Sequence, residues 1–456
     1  MKTWVYSWIV YPALIFCVYP LGLFSKKLGA TLRLRSWRDF LGLRFRPGRS
    51  IEYWIHVASV GELEYALPVI RELDRRGRQV LVTYYSISAK EAVESLPERH
   101  SNVALVVPLP HDGMGLMKEF VSLVRRQGVE NLLLMKYELW PGLLWECHRN
   151  AIKVSLVNAL KPGWFHLRLL HKLFAIIAGY PKEVRGITHK RILVFGDTRV
   201  EQVLGRIENS NLDFKTILGS ANWDLILKNP KRVVLGSMWP SDDKRIFPLL
   251  NDLFEKKWNI FWIPHELGLR QLERAEREFL KVGYQSLIVS DLSQAQEVKL
   301  RGEVPIVLFI MKKGILAELY KSAPAAFVGG GFHHAGVHSV WEPAISGASV
   351  ACGPERYRSP ESYELEDAGI LRVVQNSNEI KSWLNSAVFG EILTSSQMPK
   401  KQSPKNVDDA GSNQKIIDRN RIMPVSAILQ RHLTASKQIV DFLEEQNGIQ
   451  KYSLTS

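Results

Sequence analysis

Short apolar segments alternate with longer amphipathic ones along most of this 456-residue chain. Strands are expected at 53–58, 79–84, 103–108, 131–135 and 153–158, with helices between them, one near Gly61 and one at 89–96. The pattern restarts with strands at 191–196, 232–236, 258–264, 285–290, 325–328 and 349–352. Strand–helix alternation predicts parallel sheets covered by helices. Two series predict two Rossmann-like α/β domains, 51–185 and 186–396, with a boundary near 178–190. Ligands bind past the carboxyl ends of open parallel sheets, so both sets of strand ends are expected to face a cleft. Residues 397–421 are polar and rich in Lys, Ser, Asn and Asp, and read as a flexible loop. Within the C-terminal segment 422–456, residues 426–446 read as a helix that packs back across the domains.

A chain this long exceeds one ordinary core, which agrees with two domains. Its 46% apolar and 23% charged content is that of a globular protein. The formal net charge of +14 calls for an acidic partner, and nucleic acid and anionic lipid both fit. The N-terminus favours lipid. Residues 3–25 carry no charge, and Trp4, Tyr6, Trp8 and Tyr11 suit a membrane interface. Residues 1–25 therefore read as a membrane anchor, spanning or interfacial, although Pro12 and Pro20 weaken a straight helix. A packed N-terminal helix is the alternative. Residues 26–50 follow as a basic membrane-proximal segment with Lys26, Lys27, Arg33, Arg35, Arg38, Arg44, Arg46 and Arg49 against Asp39. The positive-inside rule then places the domains in the cytoplasm. Cys17, Cys147 and Cys352 are too dispersed for a metal site and suit a reducing compartment.

The segment from Ala325 to Pro343 reads as a strand, the glycine turn Gly329-Gly330-Gly331, and a helix running to Gly347. Glycines let backbone approach a ligand, and a helix N-terminus attracts anions. Glu342, one turn inside that helix, is placed to take two ribose hydroxyls. This suggests a nucleotide-sugar donor site, and a tight strand-to-helix turn is the plainer reading. At 56–62 a strand ends at Ala58 and a helix begins near Glu62, whose dipole favours an ionised carboxylate. That carboxylate is either a general base or a helix-stabilising charge. His333, His334 and His338 bracket the glycine turn without carboxylate or Cys partners, so no metal is assigned. Asp242 and Asp243 read as first-turn helix charges. Residues 164–177 read as a membrane-contact helix or a core-packed amphipathic one.

Several short motifs occur in a fixed order: Ala58-Ser59-Val60-Gly61-Glu62, Glu138-Leu139-Trp140-Pro141, Gly196-Asp197-Thr198-Arg199, Gly236-Ser237 and Pro264-His265-Glu266. His338-Ser339-Val340-Trp341-Glu342-Pro343 and Gly353-Pro354 close the series. Over roughly residues 1–375 the chain resembles the Kdo (3-deoxy-D-manno-octulosonic acid) transferases of Gram-negative bacteria. The resemblance implies the two-domain glycosyltransferase-B fold. It implies transfer of Kdo from a CMP-Kdo donor to the lipid A precursor (lipid IVA) at the inner membrane, with inversion. It implies anionic inner-membrane lipid as a partner, no nucleic acid, no cofactor and no metal.

Carried over by the resemblance, Glu62 matches the general base, Glu138 lies in the second acidic motif, and Arg199 takes the place of a cation. Ser237, Pro264, His265, Lys313, Gly314, Ile315, Gly330, Gly331, Ser339, Val340, Trp341 and Glu342 fall on segments that hold CMP. A helix N-terminus, backbone amides and one cation suffice to stabilise a departing nucleoside monophosphate. The chain departs from the family pattern at Lys136, Tyr137, Gly142, Leu160, Ile315 and Ser339, but keeps Glu62, Glu138, Arg199 and Glu342. Two alternatives stay open: a glycosyltransferase-B-fold enzyme using another sugar nucleotide, and an inactive lipid-binding homologue.

Overall fold

Alternate side chains of each strand enter cores on opposite faces of a sheet. In β1 (Tyr53–Val57), Tyr53, Ile55 and Val57 join one buried cluster while Trp54 joins the other. Strands apolar on both faces are stable only when helices cover both sides. A computed structural model of the chain describes residues 5–33, 50–113, 115–136, 138–160, 164–209, 214–290, 300–312, 314–389 and 425–446. Lys313, Tyr137, the arginines at 35, 38, 44, 46 and 49, Asp39 and the loop at 397–421 lie outside the described residues.

The chain forms two compact units: the first ends at Gln202 and regains the chain from Leu429, and the second spans Val203–Ile428. Among the described residues the first unit holds β1, β2 (Val80–Tyr84), β3 (Val103–Pro108), β4 (Asn131–Met135), β5 (Lys153–Val157), β6 (Ala175–Ala178) and β7 (Ile192–Val194). They make one parallel sheet in the order β3-β2-β1-β4-β5-β6-β7. The second holds β8 (Arg232–Met238), β9 (Asn259–Pro264), β10 (Gln285–Val289), β11 (Ile306–Ile310), β12 (Ala325–Val328), β13 (Ser349–Cys352) and β14 (Leu371–Val373). Their order is β10-β11-β9-β8-β12-β13-β14, again parallel throughout. Strand order reverses between β1 and β4 in one sheet and between β8 and β12 in the other, where a crevice forms in such folds.

Four expectations need correction. The run at 191–196 does not open the second domain: its core pairs with β6 as an edge strand of the first sheet. The boundary near 178–190 therefore falls inside the first unit. The expected helix at 164–177 is helical only at Trp164–Leu167 and Leu170–Lys172. Its end, Ala175–Ala178, is the buried strand β6, because four apolar residues next to β5 complete the sheet. Strands β11 and β14 were not anticipated. The single helix expected at 426–446 is two, Val425–His432 and Ala435–Gln446. The second buries Ile439, Val440 and Leu443 in the first unit's core. Arg76 clamps it through Glu444 at 2.7 Å and Asp441 at 2.8 Å.

The N-terminal segment is a π-helical turn, Tyr6–Val10, continued by an α-helix, Tyr11–Phe24, that ends where Ser25 turns extended. No helix among the described residues is long and apolar enough to cross a membrane. Tyr6 and Tyr11 are buried against the first unit, and their hydroxyls meet Asp112 at 2.8 Å and His111 at 3.0 Å. Along the same segment Trp8, Ile9, Leu14, Phe16 and Leu21 are exposed.

Candidate active site

In the first unit, β1 and β4 run side by side, with His56 opposite Leu134. Their carboxyl ends deliver Ala58–Glu62 and Lys136–Glu138 to the reversal point. Ser59 caps the Val60–Arg75 helix, its hydroxyl accepting the Glu62 N–H at 3.4 Å. The Glu62 carboxylate folds back to accept the N–H of Ala58 at 2.5 Å. Only 4% of Glu62 is exposed. Burial, helped by the charge of Glu138 and opposed by the Ala58 N–H and Lys136, pushes its carboxyl up to about 7. Desolvation and the helix N-terminus act on this carboxyl in opposite directions, burial holding the proton and the helix dipole favouring the ionised form.

Lys136 adopts a left-handed conformation, φ 63°, fixed by its N–H to Val157 and its carbonyl from Leu160. Such backbone is unfavourable for a long side chain and concentrates at functional sites. Its ammonium lies 4.4 Å from the ring centroid of Tyr65, and the Arg199 guanidinium lies 5.7 Å from the same ring. Trp140 donates its indole N–H to Glu138 at 3.0 Å and stacks on Tyr85 at 4.8 Å. The stretch Gly196-Asp197-Thr198 is held within the first unit by hydrogen bonds. Asp197 accepts from Asn158 and Tyr180, and its N–H donates to His432. Thr198 donates its hydroxyl to the Tyr65 carbonyl at 2.7 Å. Glu62, Glu138 and Arg199 thus gather at one strand-end cluster. Sequence reading missed Tyr65, whose only signal was one aromatic residue three positions after Glu62, and noted Lys136 merely as a departure.

In the second unit, β8 and β12 are neighbours, with Val328 opposite Gly236. A side chain at Gly329 would strike the carbonyl of Ser237, and one at Gly331 would strike Gly353. Gly330, at φ 93°, needs the freedom that glycine has. Asp242 takes the amides of Trp239 at 2.9 Å, Gly330 at 2.8 Å and Phe332 at 3.3 Å. The first-turn charge expected there also holds the glycine turn closed. Burial raises its carboxyl above the usual range. Asp243 takes Trp262 and Gln271, each at 2.9 Å.

His265 follows β9 through its N–H to the Met238 carbonyl. The histidines weighed as a metal cluster form part of a ring column. Trp239 lies between His265 at 4.3 Å and His333 at 3.9 Å, with His338 beyond one end and His334 beyond the other. Among the described residues no group of three or more His, Cys, Asp or Glu is arranged to hold a metal ion. The buried polar atoms Trp239 Nε1, Ser241 Oγ and Ser339 Oγ have no hydrogen-bond partner.

The helix expected from the glycine turn to Gly347 is only Trp341–Ile345, because residues 330–340 are spent in turns. Glu342 is in its first turn and pairs with Arg206 at 2.9 Å, so its carboxylate takes up the helix N-terminal charge. Ile315, Val340 and Trp341 are buried. Ile315 belongs to the core beside Leu319, and Gly314 turns with φ 84° before it. Ser237, with φ 55°, and Pro264 stand at the ends of β8 and β9.

Residues 33–162 match the family model described as 3-deoxy-D-manno-octulosonic-acid transferase (kdotransferase). The 3-deoxy-D-manno-octulosonic acid transferase of Aquifex aeolicus is 27% identical, covering 74% of this chain and 87% of that protein. The enzyme of the same name from Chlamydia trachomatis serovar D is 26% identical over 81% and 87%. Among solved structures, a UDP-N-acetylglucosamine 2-epimerase aligns with a TM-score of 0.55 at 13% identity, covering 89% of this chain and 98% of that one. Acinetobacter baumannii MurG aligns at 0.52 and 12%, covering 86% and 99%. These two share the fold.

Proposed function

We propose that this chain, a divergent relative of the Kdo transferases, transfers Kdo from CMP-Kdo to the lipid A precursor, with Glu62 as general base. The observation that carries the reading is Glu62 itself. It is a buried carboxyl at a topological switch point, within a matching family segment, with a proton affinity near neutrality. A base poised near the working pH both exists ionised and accepts a proton readily.

In this reading the acceptor hydroxyl gives its proton to the Glu62 carboxylate. Its oxygen forms a bond to the anomeric carbon of Kdo, and the bond from that carbon to the CMP phosphate oxygen breaks, with the electron pair leaving on CMP. A single displacement of this kind inverts the anomeric centre. Lys136 and Arg199, both on the Tyr65 ring, supply positive charge beside the base. The orphaned donors Trp239 Nε1 and Ser339 Oγ, with Ser241, await partners from the donor nucleotide. The segments of Ser237, Pro264, His265, Gly314, Gly330 and Gly331 surround it, and Glu342 takes the ribose. Membrane contact comes from the exposed apolar residues Trp8, Ile9, Leu14, Phe16 and Leu21 and the basic stretch after them, with the units on the cytoplasmic side.

The test is purified protein with CMP-Kdo, generated in situ, and tetraacyl lipid A precursor, read by mass spectrometry. The expected product carries at least one added Kdo. Absence of product with CMP-Kdo, together with turnover of a UDP-sugar, would transfer the chain to another donor class.

A further inference from the structure

We propose that Asp112 is a positioning residue that transmits the seating of the N-terminal helix to the Glu138–Trp140 stretch, so that contact of this helix with lipid raises turnover. This rests on the reading of Glu62 and Glu138 as site residues. The carboxylate of Asp112 is buried and shared by two distant parts of the chain. One oxygen accepts the Tyr6 hydroxyl at 2.8 Å and the Gly142 N–H at 2.8 Å, and the other accepts the Leu143 N–H at 2.7 Å. Those two amides belong to the first turn of the Pro141–Arg149 helix; burial raises the Asp112 carboxyl to about 7, and its three hydrogen bonds oppose that rise.

The contacts on either side leave little slack. A side chain at Gly142 would strike the Asp112 carbonyl, and one at Gly113 would strike the Tyr11 ring and the Ser7 carbonyl. Trp145, one turn further along the Pro141–Arg149 helix, meets the Tyr6 ring edge-on at 5.4 Å. Trp140 is the residue just before that helix, and its indole N–H holds Glu138. Glu138 in turn raises the proton affinity of Glu62. Hydrogen bonds and one short helix thus link Tyr6 through Asp112 and Gly142 to Trp140 and Glu138, whose charge acts on Glu62. The outer end of this linkage is a helical segment that exposes Phe16 at 80% and Trp8 at 58%. In this inference, contact of these exposed apolar side chains with lipid shifts the segment, and the Asp112 contacts convert that shift into a movement of Glu138.

The test compares wild type, Tyr6→Phe and Tyr11→Phe with and without vesicles of phosphatidylglycerol and phosphatidylethanolamine. Tyr11 binds His111 rather than Asp112, so it controls for seating of the helix in general. Vesicle binding, hydrogen exchange of amides 138–145 and Kdo transfer are measured on each. Wild type and Tyr11→Phe are expected to gain protection at these amides and to turn over faster with vesicles. Tyr6→Phe is expected to bind vesicles equally, gain no protection and lose the stimulation by about fivefold or more, the scale of a modest coupling between sites. Unchanged coupling in Tyr6→Phe, equal losses in both variants, or no vesicle-dependent protection in wild type would overturn the inference. Protection that depends on Tyr6 in a protein that makes no Kdo product would uphold the joint and overturn the functional reading alone.

Discussion

Glu62 Oε2 accepts the backbone N–H of Ala58 at 2.5 Å, so the carboxyl points from the first turn of its helix back to the end of β1. That bond orients the group, and burial sets its proton affinity near 7. The ascending limb of kcat/KM against pH is therefore expected to have a midpoint near 7, well above an ordinary carboxylate. Glu62→Gln keeps the shape and removes the basicity, and turnover is expected to fall by roughly 10²-fold or more. A steady-state pH profile and single-variant kinetics check both; a limb centred near 4.5 would assign the base elsewhere.

The same group makes a stability prediction. Its folded-state affinity is raised, so its contribution to stability is fully present below the ordinary carboxylate range and is lost as pH rises through about 7. Glu62→Gln should consequently be more stable than wild type at pH 8, by on the order of 1–3 kcal/mol, with the difference vanishing near pH 4. Urea denaturation at the two pH values measures it.

Asp242 is expected to be the main structural support of the glycine turn. Asp242→Asn keeps one acceptor oxygen and turns an NH₂ group toward the Phe332 amide, or toward those of Trp239 and Gly330, in a buried place. A loss of about 2–4 kcal/mol is expected, the scale of unsatisfied buried donors near a former charge. Calorimetric melting reads the loss, and an unchanged Tm would show that the turn stands without Asp242.

Glu342→Ala should weaken CMP by about 1.5–3 kcal/mol, the range for hydrogen bonds to a charged acceptor. Isothermal titration with CMP and with UMP tests affinity and donor class together. Equal binding of CMP by wild type and variant would leave Glu342 a structural residue that pairs with Arg206.

Deletion of the N-terminal stretch is a poor probe of membrane contact, because Tyr6 and Tyr11 are buried against the first unit. The double variant Leu14→Glu, Phe16→Glu alters only exposed positions. It should keep its Tm and partition at least about tenfold less into anionic vesicles, since each apolar side chain contributes roughly 1.5–3 kcal/mol on burial. Flotation that matches wild type would place the lipid contact elsewhere.

The sequence by itself determined the two α/β series, because apolar runs such as Leu132-Leu133-Leu134 are stable only inside a covered sheet. It also determined the strand-end motifs, since Ser59 caps locally and glycine at 330 permits the positive φ found there. Tertiary structure decided what lies far apart in the chain. Ala175–Ala178 is a strand only because β5 and β7 flank it. The histidines of the glycine turn form a ring column only because Trp239 reaches between His265 and His333. The proton affinity of Glu62 depends on burial and on Glu138, 76 residues later in the numbering. Local patterns record backbone preference and capping. Desolvation, ring stacking and charge coupling act through space, and no short window of residues contains them.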